Sequence, residues 1–191
     1  MYKRQEDKLK ELIDSCHSNN IAVIMDIVFN HAFRPNPWLR LYYDKGRDLP
    51  SSQSPWFNQI PKHPFNVGYD FNHSSPYVQT FIDSVLDYWT SEYRFDGYRF
   101  DLSKGFTQLN SLGNVSLWGN YDLSRINNIK RISNNLWSKH PGTYVILEHF
   151  AENSEEKELS DHGCMLWGKA HSQYNEATMG YVGNGPDNFE W

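Results

Sequence analysis

Ile21-Ala-Val-Ile-Met-Asp26-Ile-Val-Phe-Asn30-His31 is a nearly continuous apolar run that ends in polar side chains. Such a run reads as a parallel strand buried on both faces. Two later stretches have the same form. Tyr93 to Asp101 closes on Gly97-Tyr-Arg99-Phe-Asp101, and Thr143 to Glu148 closes on Val-Ile-Leu-Glu. Each delivers ionisable groups at its end, as the strands of a parallel β/α barrel do at one rim.

Helical patterns separate the runs. Leu9, Leu12, Ile13 and Cys16 predict an amphipathic helix over about residues 5–18. Ser75-Pro76 is a helix start, and Val78, Phe81, Ile82, Val85 and Trp89 form the stripe that follows. Residues 102–122 read as loop. Ile126, Ile129, Ile132 and Leu136 mark another helix, capped by Ser124. Glu155–Leu159 reads as a short helix, Cys164–Trp167 as a short strand, and the tail from Gly168 as loop. Strands alternating with helices mean an α/β fold with a parallel sheet. Residues 32–75 break the pattern: they hold six of the nine prolines and nine aromatics without a sustained period. A segment of that length is a small subdomain or a functional loop.

Composition narrows the classes. The net charge of −5, from 18 basic and 23 acidic side chains, argues against a nucleic-acid surface. Hydrophobic content of 39% with 21% charged residues describes an ordinary globular chain. No apolar run approaches the ~20 residues that cross a bilayer, and the charged start Met1-Tyr-Lys-Arg is no signal peptide, which leaves the compartment open. Cys16 and Cys164 read as buried free thiols rather than a disulfide or metal pair.

Alternation places Gly97, Arg99 and Asp101 on one strand face. Arg99 beside Asp101 favours an ionised carboxylate, as a nucleophile needs; a structural ion pair is the alternative. Gly97 leaves room on that face for a ligand or another side chain. Glu148 closes an apolar strand, where a carboxyl tends to keep its proton and can act as an acid; a side chain reaching solvent is the alternative. Asp26 interrupts an apolar run, so it should be buried and paired, with Arg99 as partner. Asn30-His31 lies at the rim, as a turn or as part of a site.

Together, Asp26-x-Val28-x-Asn30-His31, Gly97-x-Arg99-x-Asp101-x-x-Lys104 and the strand-end Glu148, in this order, resemble the α-amylase family of glycoside hydrolases, family 13. The resemblance implies a partial TIM (β/α)8 barrel, about strands 3 to 6, with a B-domain-like insertion after the third strand. Residues 1–31 and 76–191 would be barrel, and 32–75 the insertion. It implies Asp101 as catalytic nucleophile and Glu148 as general acid/base. It also implies substrate-site roles for His31, Arg99, Lys104 and Asp26, and Asn30 as a calcium ligand with the Gly105 carbonyl and a carboxylate such as Asp70. No organic cofactor is implied. The expected partner is an α-glucan or malto-oligosaccharide, cleaved with retention of configuration. Trp38, Trp56, Phe57 and Phe65 could stack on sugars but read better as a subdomain core; Trp118 and Trp167, near the strand-end loops, are the better stacking candidates.

The sequence also departs from the family pattern. After Glu148 the family's His-Asp pair appears only reversed, as Asp161-His162, and its first two strands have no counterpart. The expectation is a segment that needs further barrel strands and is inactive alone. The rival readings are a non-catalytic glucan-binding fragment, a related α-glucosidase or transglycosylase, and a metal hydrolase using His31, Asp101, Glu148 and His149, for which no metal-ligand spacing speaks.

Overall fold

A computed structural model describes residues 2–65, 67–111, 113–168, 178 and 179. Along the chain run α1 (Tyr2–Ser18), β1 (Ile24–Val28), β2 (His31–Ala32), α2 (Pro37–Leu41), β3 (Tyr43–Asp44), β4 (Leu49–Pro50), β5 (Tyr69–Asp70) and α3 (Pro76–Tyr93). Then come β6 (Gly97–Asp101), a 3₁₀ turn (Ser103–Gly105), α4 (Val115–Gly119), α5 (Leu123–Lys139), β7 (Tyr144–Leu147), α6 (Asn153–Asp161) and β8 (Met165–Leu166).

Strands β1, β6, β7 and β8 form one sheet in that order, every pair parallel. Parallel neighbours need crossover connections, which α3, α5 and α6 supply. One sheet face is covered. Tyr98, Phe100, Val145 and Leu147 pack against Val78, Ile82 and Leu86 of α3 and the Ile126, Ile129, Ile132, Leu136 stripe of α5. The Tyr98 hydroxyl donates to the Leu86 carbonyl at 2.7 Å, so the phenol satisfies its polar end inside the core.

The other face is open. Asp26, Val28, Tyr144 and Met165 are exposed along it. Burial on both faces is therefore met on one face only: among the described residues, helices cover a single side of the sheet. Gly97 faces the open side, but its space is taken. A Cβ there would lie 2.5 Å from Tyr144 Cβ and 3.0 Å from Ile24 Cδ1, so this glycine permits close strand packing rather than ligand entry.

Helix ends explain the shifted boundaries. α3 begins at Pro76 as expected, although the Ser75 side chain makes no capping bond. It continues through Tyr93, which packs with Ile13 and Phe95, and stops where Arg94 turns left-handed at φ 64°. The following strand thus starts at Gly97, not Tyr93. α5 is capped by Asp122 rather than Ser124: Asp122 Oδ1 accepts the Ser124 amide at 2.9 Å. The stretch 102–122 is not all loop, since it holds the 3₁₀ turn and α4. Cys16 and Cys164 are both free, and burial pushes the Cys164 thiol up to about 11. No described helix is long and apolar enough to cross a membrane. The expected tail loop lies largely outside the described residues.

Residues 32–75 contain only short elements. β2 pairs antiparallel with β5, and β3 with β4. Trp38 stacks on Trp56 at 4.5 Å and Phe57 on Phe71 at 4.5 Å, and Trp38, Trp56 and Phe71 also meet Phe81 of α3. These aromatics form the segment's core and seat it on α3; Phe65 stays exposed.

Candidate active site

Parallel register decides which side chains meet. Asp26 lies opposite Arg99, and Val28 opposite Asp101. One residue past the β6–β7 ladder, the Glu148 amide donates to the Phe100 carbonyl at 3.1 Å, which brings Glu148 level with Asp101. Arg99 sits at the centre of the open face. Its Nη1 donates to Asp26 Oδ1 at 2.8 Å and to Asp101 Oδ1 at 2.9 Å, and its Nη2 forms an ion pair with Glu148 Oε2 at 2.9 Å. Burial works against its charge, but the carboxylates around it outweigh that and raise its pKa. The fork geometry of a guanidinium suits such shared pairing. The side chain is 16% exposed, with the Trp167 ring 5.1 Å above its guanidinium carbon.

Two expectations about these carboxylates change. Asp26 is paired with Arg99 but is not buried: its side chain is 67% exposed. It sits on the edge strand β1, and among the described residues nothing covers that side. Glu148 is not sealed in an apolar interior: its side chain is 26% exposed. Its Oε2 pairs with the Arg99 charge and accepts from the Leu102 amide at 3.0 Å, so polar partners set its position.

His31 opens β2 at the same rim. The Asn30 amide Nδ2 lies 3.2 Å from His31 Nδ1, which makes Nδ1 the acceptor and leaves Nε2–H as donor. Burial lowers the His31 pKa, while the Asp101 charge pulls the other way. A mostly neutral ring with a free N–H can donate to a hydroxyl beside Asp101. Lys104 has a structural engagement: Nζ donates to the Phe150 carbonyl at 3.1 Å and lies 4.4 Å from the Trp118 ring centre. Trp118 is buried, stacked on His63 at 5.1 Å, with its indole N–H on the Lys104 carbonyl at 3.0 Å. It is therefore a packing residue and not a sugar platform. Trp167, the other stacking candidate, lies over Arg99 with its ring half-exposed.

The implied calcium set does not fit a hard cation. Asn30 is buried, and its Oδ1 is 3.0 Å from His63 Nε2. Asp70 Oδ1 is 3.8 Å from the same nitrogen. An imidazole thus stands among the two side-chain oxygens, where calcium takes six to eight oxygen ligands. Burial pushes Asp70 up to about 7, against bonds from Asn58 and the Lys62 amide, and pushes His63 down to about 4. Gly105 closes the cluster: a Cβ on it would lie 1.8 Å from Asn30 Oδ1.

Sequence reasoning missed the network behind the site. Ser103 Oγ lies 3.0 Å from His149 Nδ1, and His149 Nε2 lies 2.7 Å from Glu155 Oε1. Arg125 grips Glu155 through Nε at 2.5 Å and Nη2 at 2.6 Å. Ser103, Arg125, His149 and Glu155 are all buried. The metal reading fails at the same place, because His149 engages both ring nitrogens in this network, and no metal-ligating cluster occurs among the described residues.

No family model matches the chain. Over 116 residues it is 34% identical to an isoamylase, described as chloroplastic, of Zea mays, covering 59% of this chain and 14% of that protein. Over 148 residues it is 31% identical to a 1,4-alpha-glucan branching enzyme of Cutibacterium acnes, covering 74% of this chain and 22% of that protein. The chain thus spans less than a quarter of the length of either relative. The solved structure of Amy13B from Eubacterium rectale superposes with a TM-score of 0.66 at 22% identity, over 94% of this chain and 38% of that one. A shared fold and likeness to isoamylase and branching-enzyme sequences agree: the chain is similar, in sequence and in fold, to a segment of the α-amylase family of glycoside hydrolases, family 13.

Proposed function

We propose that the protein carrying this chain is a retaining glycoside hydrolase acting on α-glucosidic bonds of starch or malto-oligosaccharides. The carrying observation is Arg99, which holds Asp101 on one nitrogen and Glu148 on the other at 2.9 Å each, on the open rim of a parallel sheet. Asp101 is the nucleophile. It attacks the anomeric carbon and forms a glycosyl ester as the leaving oxygen takes a proton from Glu148. Glu148 then removes a proton from the water that cleaves the ester. Retaining enzymes hold their carboxyls ~5–5.5 Å apart, a spacing compatible with two carboxylates on one guanidinium. The His31 N–H binds a hydroxyl of the sugar beside Asp101.

In this reading β1, β6, β7 and β8 are barrel strands three to six. Residues 1–31 and 76–191 belong to the barrel, and 32–75 form the B-domain-like insertion, which its own aromatic core supports. The remaining strands, and the further transition-state carboxylate, lie outside this segment. Replacing water by a glucan hydroxyl in the second step gives transglycosylation at the same site.

The test uses full-length protein with Asp101→Asn and Glu148→Gln on maltoheptaose. Each variant should lose activity by about a thousandfold or more, and the wild type should release the α-anomer, read by proton NMR. Undiminished cleavage by either variant, or an inverted product, would overturn the assignment.

A further inference from the structure

The Ser103, His149 and Glu155 side chains have the connectivity of a hydrolytic triad, hydroxyl to imidazole to carboxylate. Ser103 is fully buried, so its hydroxyl reaches no substrate and nucleophilic chemistry is ruled out. What the network does touch is Glu148. The Ser103 amide donates to the Glu148 carbonyl at 3.0 Å, and the Leu102 amide donates to Glu148 Oε2 at 3.0 Å. Two successive amides therefore fix both the backbone and the carboxylate of one residue.

That arrangement is costly to maintain. Leu102 holds φ at 46°, a left-handed conformation unusual for a residue with a Cβ. Such strain persists only where surrounding contacts over-determine it. They come from His149 and its supports. His149 Nε2 lies 2.7 Å from Glu155 Oε1, and the Ser103 hydroxyl, which donates to the Glu148 carbonyl at 3.0 Å, has its oxygen 3.0 Å from His149 Nδ1. Glu155 is in turn held by Arg125 and accepts the Asp122 amide at 2.8 Å. Arg125 also donates to the carbonyls of Trp118 and Asn120, at 3.1 and 3.0 Å. Side chains from α5 and α6 thus reach through the loops after β6 and β7 to the peptide that aims Glu148.

We propose that His149 and Glu155 are positioning residues for Glu148: by gripping Ser103 they keep the Leu102 and Ser103 amides on its carboxylate and its carbonyl. This rests on the reading of Glu148 as general acid/base. It implies that orientation of the proton donor is set from behind the sheet, by residues that never meet the sugar.

The experiment compares Ser103→Ala, His149→Ala and Glu155→Gln with wild type in full-length protein. Ser103→Ala is the mild variant, since it leaves the Arg125–Glu155 pair intact. Expected is a fall in kcat on maltoheptaose of about tenfold to a hundredfold with KM within about twofold, and a displaced pH limb for proton donation. Hydrogen exchange is the second readout. Leu102 and Ser103 amides should lose protection in the variants while Tyr98 and Phe100 keep theirs. An unmoved pH limb, or protection lost equally across β6 and the loop, would show a merely structural role and overturn the proposal. If wild type cleaves no glucan, the functional reading falls, and the exchange pattern alone then decides whether the network positions Glu148.

Discussion

At the scale of single residues, the site depends on one cation and one missing side chain. Arg99 concentrates three carboxylates at one point, and its planar fork accommodates them where an ammonium could not. Gly105 matters for space. Asn30 Oδ1 fills the volume a Cβ would need, and His63 Nε2 lies within 2.9 Å of the same point. Because Asn30 also orients His31, pressure at Gly105 reaches the rim. Gly105→Ala should cost about 1–3 kcal/mol, an overpacking penalty with little room to relax. Gly168→Ala is the control, with no atom of the described residues within 4 Å of its Cβ and no positive φ. Urea unfolding of both variants decides this, and equal midpoints for the two would refute the steric argument.

Elements were legible where burial imposes a period. Strand and helix positions along the sheet followed from apolar runs and from the Ile126, Ile129, Ile132, Leu136 stripe. So did the shared face of Gly97, Arg99 and Asp101, and the pairing of Asp26 with Arg99. Boundaries were not, because caps compete: Asp122 outbids Ser124, and Arg94 rather than a strand pattern ends α3. The Arg125–Glu155 pair was missed although its signal was present. Arg125 extends the α5 stripe four residues before Ile129, and Glu155 lies four before the buried Leu159. A charge at an apolar helical position must find an opposite charge. That pair joins α5 to α6. Arg125→Met leaves a buried carboxylate beside His149 and should destabilise by about 3–5 kcal/mol. The double variant Arg125→Met with Glu155→Leu removes both charges and should recover a large part of that loss. Denaturation of the two variants checks it; a double variant weaker than Arg125→Met alone would contradict the account.

Across the whole molecule, buried titratable groups oppose one another in how stability depends on pH. His73, buried and stacked on Phe106 at 4.1 Å, is pushed down to about 3 by burial, the Phe29 backbone resisting only in part. The unfolded chain binds this proton near 6.5. Between those values the unfolded state holds more protons, so this contribution is complete above about pH 6.5 and is lost as pH falls toward 3. His63, at about 4, acts in the same direction. Asp70 acts in the opposite one. With its pKa raised to about 7 by burial, the folded state holds the extra proton, so its contribution is complete below about pH 4 and is lost as pH rises through 7. Asp70 therefore offsets one of the two histidines, the net curve is shallower than the pair together would give, and a variant is needed to isolate one of them. His73→Leu keeps an apolar side chain against Phe106 and removes only the proton linkage. Between about pH 6.5 and about pH 4.5 the variant should lose roughly 2–3 kcal/mol less stability than wild type, since one site contributes ~1.4 kcal/mol per pH unit across that window. Asp70 and His63 are common to both proteins and cancel in the difference. Parallel stability curves for the two proteins would show that His73 is not buried as the neutral ring, and the packing around Phe106 would then need another description.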